Sequence, residues 1–145
     1  MNELHGEVYP YEQRYWYPHL SPAEAALWHK FIAKNPNAYE RVAYDVKVGT
    51  IPDFIMEQED EAIRKQASLY RYKIDVVGFK GSQVDIIELK QGATMRAIGQ
   101  VKGYRKLYAR DIDASARGED VIITDVLLPD MEELAGEEKV KVVIV

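Results

Sequence analysis

Two short apolar stretches joined by a tight turn constrain the fold of this chain more than any other feature. Residues 71–77 and 84–90 have the alternating, β-branched composition of strands. Between them, Gly81 and Ser82 form a dipeptide suited to a type II′ turn, which joins two antiparallel strands with little splay. The sequence therefore predicts a β-hairpin whose pairing is fixed by its turn.

The predicted pairing brings four charged side chains together on one face of the hairpin. With Gly81 at the turn, Asp75 lies opposite Glu88 and Lys73 lies opposite Lys90, at a side-chain separation of about 5 Å. The other face is then apolar. Its opposed pairs are Ile74 with Leu89 and Val76 with Ile87.

Two directly opposed carboxylates repel each other, and a hairpin could tolerate this pair in two ways. A divalent cation between Asp75 and Glu88 would relieve it, because hard cations prefer carboxylate oxygens. Alternatively, the two residues are the solvated face of an ordinary hairpin, and each is neutralised by a nearby lysine. The hairpin alone leaves both explanations open.

The flanking sequence predicts an α/β domain with a mixed sheet and helices on its faces. Ser21 and Glu24 form a capping box around Pro22, which predicts a helix from there to about Lys34. Alternation then predicts a strand over 41–48. The other expected elements are a short helix over 59–69, a helix from Thr94 to about Arg110, strands over 120–125 and 139–145, and a short helix over 130–135.

Residues 1–20 differ from the rest of the chain in composition. Tyr15, Trp16 and Tyr17 lie between Pro10 and Pro18, a segment too aromatic for a free tail and too interrupted by proline for a helix. We therefore divide the chain into an N-terminal docking segment over 1–20 and one domain over 21–145. The segment is expected to bury its rings on its own domain, on a second copy or on a larger protein assembly.

The helix predicted after the hairpin has two distinct sides. Gln100 and Tyr104 lie one turn apart and share a face with the apolar residues Ala97, Val101, Leu107 and Tyr108. The opposite side is basic, and we expect it to contact phosphates. The proposed nucleic-acid contacts on this helix are Arg96, Lys102, Arg105, Lys106 and Arg110.

Taken together, Asp75, the Glu88-Leu89-Lys90 tripeptide and the Gln100/Tyr104 pair resemble the D…ExK…QxxxY arrangement of the PD-(D/E)XK nuclease superfamily. This superfamily includes Holliday-junction resolvases, restriction endonucleases, exonucleases and many small phage-encoded proteins. The match covers roughly residues 20–126, and Ile74 stands where the eponymous motif has proline. The resemblance implies a restriction-endonuclease-like fold.

The resemblance also implies roles for individual residues. Asp75 and Glu88 would be ligands of Mg²⁺ or Mn²⁺, and Lys90 would orient the attacking water and stabilise charge on the phosphate. Gln100 and Tyr104 would support the site. Glu24 is the candidate for an additional metal ligand, although its capping role explains it equally well, and Glu40 is the reserve. Asp45 and Lys47 are expected only to flank the site.

Composition narrows the chemistry and the partners. The chain has no cysteine and only three scattered histidines, which excludes thiolate sites and makes a histidine-rich metal site improbable. Its net charge is −5, yet eleven basic and three acidic residues lie between Arg64 and Arg110. This basic island either contacts DNA or solvates helix faces. No apolar run is long enough for a membrane span, and we expect a protein of the cytoplasm or of a virion.

Three functions remain open at this point. The first is a metal-dependent DNA endonuclease that hydrolyses phosphodiester bonds. The second is a non-catalytic relative that persists as a binding or assembly module, for example in a phage particle. The third is an unrelated α/β protein with an accidental motif.

Overall fold

The described residues fold around one six-stranded mixed sheet. The structure, a computed structural model, describes residues 3–145. Its strands are β1 (Val8–Pro10), β2 (Arg41–Val48), β3 (Tyr72–Lys80), β4 (Gln83–Leu89), β5 (Asp120–Thr124) and β6 (Val140–Ile144). Its α-helices are α1 (Pro22–Lys34), α2 (Asp53–Met56), α3 (Glu61–Lys65), α4 (Met95–Asp111) and α5 (Pro129–Glu137), with 3₁₀ turns at Glu3–His5 and Ala67–Tyr70.

The strands lie side by side in chain order. Strands β1 to β4 are antiparallel neighbours, whereas β4, β5 and β6 are parallel and are connected through α4 and α5. The predicted α/β class and mixed sheet are confirmed. Within residues 3–145, no helix is long and apolar enough to cross a membrane.

The hairpin has the predicted register. Strands β3 and β4 pair Val76 with Ile87 and Lys80 with Gln83, and Gly81 lies at the turn with φ of +58°. A positive φ is required at the first turn position of a type II′ hairpin, where glycine adopts it without strain. Strand β3 extends three residues beyond the predicted end, because the ladder continues to the turn.

The prediction that one hairpin face is apolar and the other charged is wrong. Helix α1 covers one face of the sheet, and α4 and α5 cover the other, so both faces are buried. Ile74 packs under α4, whereas Val76, which was predicted to share its face, packs under α1. Crossover connections between parallel strands place helices on the sheet, and such strands become apolar on both sides.

The N-terminal helix begins as the sequence predicts. Ser21 accepts a hydrogen bond from the backbone of Glu24, whose side chain accepts one from Ser21 in return.

The least regular part of the chain is 53–70. A single short helix was expected over 59–69, but the structure has two short helices, α2 and α3, followed by a 3₁₀ turn.

The N-terminal segment adds strand β1 to the sheet edge, which the sequence did not predict. Tyr17 is buried, and its hydroxyl lies 2.7 Å from Nδ1 of His29 on α1. Docking on the chain's own domain is thus confirmed for this ring. It is not found for Tyr15 and Trp16, which are exposed. Trp28 of α1 fills the space beneath the segment and is fully buried.

Tyr17→Ala is expected to destabilise the protein by about 3 kcal/mol, because it removes a buried ring and leaves a cavity against α1. The neighbouring Tyr15→Ala is the matched control, and it should change the free energy of unfolding by less than about 0.5 kcal/mol. Urea denaturation measures both values. Equal effects from the two variants would show that the segment is not anchored through Tyr17.

Candidate active site

The candidate site lies where strands β3 and β4 separate. The ladder between β2 and β3 joins Tyr44 with Val76 and Val46 with Ile74, so Asp45 and Asp75 lie opposite each other between these pairs. The alternation of side chains shifts by one residue there, because Tyr44 and Val76 pack on the α1 side of the sheet whereas Val46 and Ile74 pack on the α4 side. Asp45 has φ of +53°, a left-handed conformation that aspartate tolerates better than most residues.

This change of phase turns the Asp75 carboxylate into the gap between the strands. Pairing of β3 with β4 ends at Val76 and Ile87, and one residue further on Oδ2 of Asp75 accepts the Leu89 backbone N–H at 2.8 Å. The next amide, that of Lys90, donates instead to Ile123 of β5. The Asp75 side chain therefore takes the place of a backbone carbonyl in the β3–β4 ladder.

Three carboxylates meet at this gap, and we call Glu24, Asp75 and Glu88 the carboxylate cluster. Asp75 interacts electrostatically with both Glu24 and Glu88, and Glu24 also acts on Glu88. Glu88 is only 7% exposed, and its Oε2 is buried without a hydrogen-bond partner. A buried carboxylate oxygen without a partner is costly, which is common at positions that bind a ligand.

Two members of the cluster, Asp75 and Glu88, resist ionisation. Burial raises the pKa of Asp75, and repulsion by Glu88 raises it further, while the Leu89 N–H lowers it. Burial also raises the pKa of Glu88, with an added contribution from Glu24; the Lys90 ammonium lowers it. Groups with such perturbed pKa values concentrate at functional sites.

Glu24 and Glu40, the two candidates for an additional metal ligand, lie in different parts of the structure. Glu24 closes its capping box and also interacts with Asp75, while its role as a metal ligand stays a prediction. Glu40 accepts the Gly81 N–H at 2.6 Å, near the hairpin turn at the other end of β3. Asp45 lies 3.8 Å from His19 and is not a member of the cluster. The side chain of Lys47 is half-buried, and its carbonyl accepts a hydrogen bond from Arg71.

The two residues of the QxxxY pair differ in their surroundings. Tyr104 is half-buried against the core under α4, and burial together with Glu88 and Asp75 raises the pKa of its hydroxyl to about 12. Gln100 is exposed, so the prediction that both side chains pack inward is wrong for Gln100.

The basic residues of α4 form two groups. Arg96, Lys106 and Arg110 are exposed, and Arg110 pairs with Asp111 at 2.6 Å. Two others are structural. Lys102 and Arg105 both bind Asp120 of β5, and Arg105 also donates to the carbonyls of Val84 and Glu119. Lys102 and Arg105 are therefore engaged within the chain, and they are poor candidates for the phosphate contacts predicted from the sequence.

Tyr72 was not singled out in the sequence, although it lies beside this site. It is the first residue of β3, its ring is 58% exposed, and its centroid lies 6.3 Å from that of Tyr104. The available signal was an aromatic residue at a strand end that follows a run of basic and aromatic residues. Alternation of the strand alone gives no reason to distinguish it.

The cluster fits a divalent metal by its chemistry. Within residues 3–145, no three His, Asp or Glu side chains already have the spacing of a metal site. Without a metal, Asp75 and Glu88 favour their protonated forms, because burial and a neighbouring carboxylate raise the pKa of each. A hard dication prefers ionised oxygen ligands and would replace these protons, and the unpartnered Oε2 of Glu88 would gain a partner.

Comparisons with protein families, with characterised proteins and with solved structures found no match to this chain. The site itself is therefore the basis for any functional conclusion.

Proposed function

We propose that this chain is a Mg²⁺- or Mn²⁺-dependent DNA endonuclease with a restriction-endonuclease-like fold. The observation that supports this most strongly is the carboxylate cluster, in which Glu88 is buried with an unpartnered oxygen beside the ammonium of Lys90. Structural carboxylates are normally fully paired when buried. Here buried Glu88 lies beside the partly buried Asp75 and Glu24, and among residues 3–145 no arginine forms an ion pair with any of them, an arrangement suited to binding a cation.

Each residue of the site has a role in phosphodiester hydrolysis. Asp75, Glu88 and Glu24 would hold the metal, which when bound lowers the pKa of a water and neutralises charge on the phosphate. Lys90 is exposed at the mouth of the gap, where its ammonium stabilises negative charge as it grows on the phosphate. Tyr104 packs beside Glu88 and Asp75 and keeps them in position.

Cleavage of plasmid and branched DNA tests this proposal directly. The purified protein should nick or cut DNA with Mg²⁺ or Mn²⁺ and should be inactive in EDTA, because the metal that would activate a water is then absent. Lys90→Met should reduce the rate by about 10²-fold, the typical effect of losing one charge-stabilising group. An absence of cleavage on every DNA form with either metal would refute the enzymatic proposal.

Exposed Tyr15 and Trp16 support a second role, in which the chain docks on a partner protein. Aromatic residues commonly anchor interfaces, and this pair lies next to Tyr17, which fixes the segment to the domain. In the non-catalytic alternative, docking is the whole function and the nuclease-like domain is an assembly module. A failed cleavage assay together with assembly that requires Trp16 would favour that alternative.

A further inference from the structure

A cavity of about 570 Å³ lies beside the carboxylate cluster. It is bounded by one face of α4 and by the Tyr72 ring, and Gln100 and Lys106 lie at its edge. Its size falls within the range of sites that enclose a small organic group. Tyr104 belongs to both places, because its ring lines the cavity and its hydroxyl is close to Glu88 and Asp75.

Two glycines open the floor of this cavity. Gly99 and Gly103 lie one turn apart in the interior of α4, where glycine weakens a helix. A Cβ atom at either position would meet nothing within 4 Å, so neither glycine is required for packing within the chain. Because neither glycine has a side chain, this part of the helix surface is flat and a planar group can approach it.

Aromatic rings border the same opening. The Tyr72 and Tyr104 rings are inclined at 47° to each other and form one wall. Tyr72 is 58% exposed, so its ring is accessible to a planar group that enters the cavity.

The charge around the opening suits a phosphate backbone. Lys106 lines the cavity, and the exposed side chains of Lys73 and Arg96 belong to β3 and α4, the two elements that form it. No acidic side chain lines the cavity among the residues that the structure describes. Rings for stacking combined with lysines for phosphates characterise surfaces that bind unpaired nucleic acid.

We propose that this cavity binds an unpaired nucleobase of a DNA strand whose phosphate lies at the carboxylate cluster. The inference rests on the proposed nuclease function and specifies its substrate class: single-stranded DNA, or an unpaired stretch at a flap, end or junction. A base within a duplex is stacked on both sides, so it reaches such a cavity only after it leaves the helix. An unpaired base stacks on Tyr72 without that cost.

Tyr72→Ala and Gly103→Leu test the two walls of the cavity separately. Binding of a fluorescent thymidine oligonucleotide is followed by anisotropy in EDTA, so that no cleavage intervenes. Each variant should weaken single-strand binding about tenfold, the effect of losing one stacked base. Affinity for a blunt duplex should change less than twofold. Gly136→Leu on α5 is the matched control, since its Cβ also meets nothing, and it should change neither affinity.

The same variants separate failure of this inference from failure of the proposed function. A wild-type protein that cleaves DNA with Mg²⁺, but binds oligonucleotide as well after Tyr72→Ala and Gly103→Leu as before, would overturn the cavity assignment and leave the nuclease intact. Loss of single-strand binding in both variants of a protein that never cleaves would overturn the nuclease and retain the cavity as a binding site. Equal losses on duplex and single strand would also overturn the inference.

Discussion

Glu88→Gln is expected to reduce Mg²⁺-dependent DNA cleavage by at least about 10³-fold. The substitution keeps the shape of the side chain but removes the charge that would bind the metal, and a bound metal supplies several kcal/mol of transition-state stabilisation. Because Glu88 is buried beside Asp75, few other groups can replace it. Gel-based cleavage of plasmid DNA measures the rate, and calorimetric titration with Mn²⁺ measures the loss of metal binding.

Glu40→Gln provides the matched control for this prediction. Glu40 is also an acidic residue of the β2–β3 region, but it caps the hairpin turn at Gly81 and lies outside the carboxylate cluster. Its substitution should leave cleavage within about twofold of the wild type. Cleavage that survives Glu88→Gln would show that the activity belongs to another site or to a contaminant.

Without divalent metal, the free energy of unfolding is expected to decrease by about 3 to 5 kcal/mol between about pH 5 and pH 7. Burial raises the pKa values of Asp75 and Glu88, and repulsion by Glu88 on Asp75 and by Glu24 on Glu88 raises them further. The folded state therefore holds protons that the unfolded chain has already released. Stability then falls with rising pH, by about 1.4 kcal/mol per pH unit for each proton held. Carboxyls whose pKa values are lowered, such as that of Asp111, change the free energy of unfolding only below about pH 4.

Urea denaturation in EDTA at several pH values measures this slope. Glu88→Gln should reduce it by about one proton, because glutamine does not titrate, and should stabilise the metal-free protein near neutral pH. Saturating Mg²⁺ should remove most of the slope for the wild type, since the metal binds the ionised carboxylates. A stability that is independent of pH in EDTA would show that the cluster is not held in a protonated state.

Much of the fold could be predicted because its signals are local. The turn at Gly81 fixes the register of the hairpin, and the reciprocal bonds of Ser21 and Glu24 fix the start of α1. The bounds of β2 follow from the glycine and proline after it. Each of these features depends on residues within a few positions of one another, so the sequence contains the information directly.

The features that could not be predicted depend on distant parts of the chain. Arg105 is partly buried because Asp120, on a strand fifteen residues later, faces it across the crossover. The alternation of β2 and β3 changes phase at Asp45 and Asp75 because β3 leaves β4 there. Glu24 reaches Asp75 only because α1 packs on the sheet. Spacing along the chain gives no signal for any of these encounters.

The Asp75 side chain that closes the ladder to Leu89 makes the backbone itself a reporter of the site. The strength of this hydrogen bond depends on the charge of the carboxylate that accepts it, because an ionised acceptor binds an N–H more tightly than a neutral one. The chemical shift of the Leu89 amide proton therefore depends on whether the Asp75 carboxyl is protonated, ionised or bound to a cation. In a ¹⁵N-resolved NMR spectrum this one resonance would follow the chemistry of the cluster without any label being added to the protein.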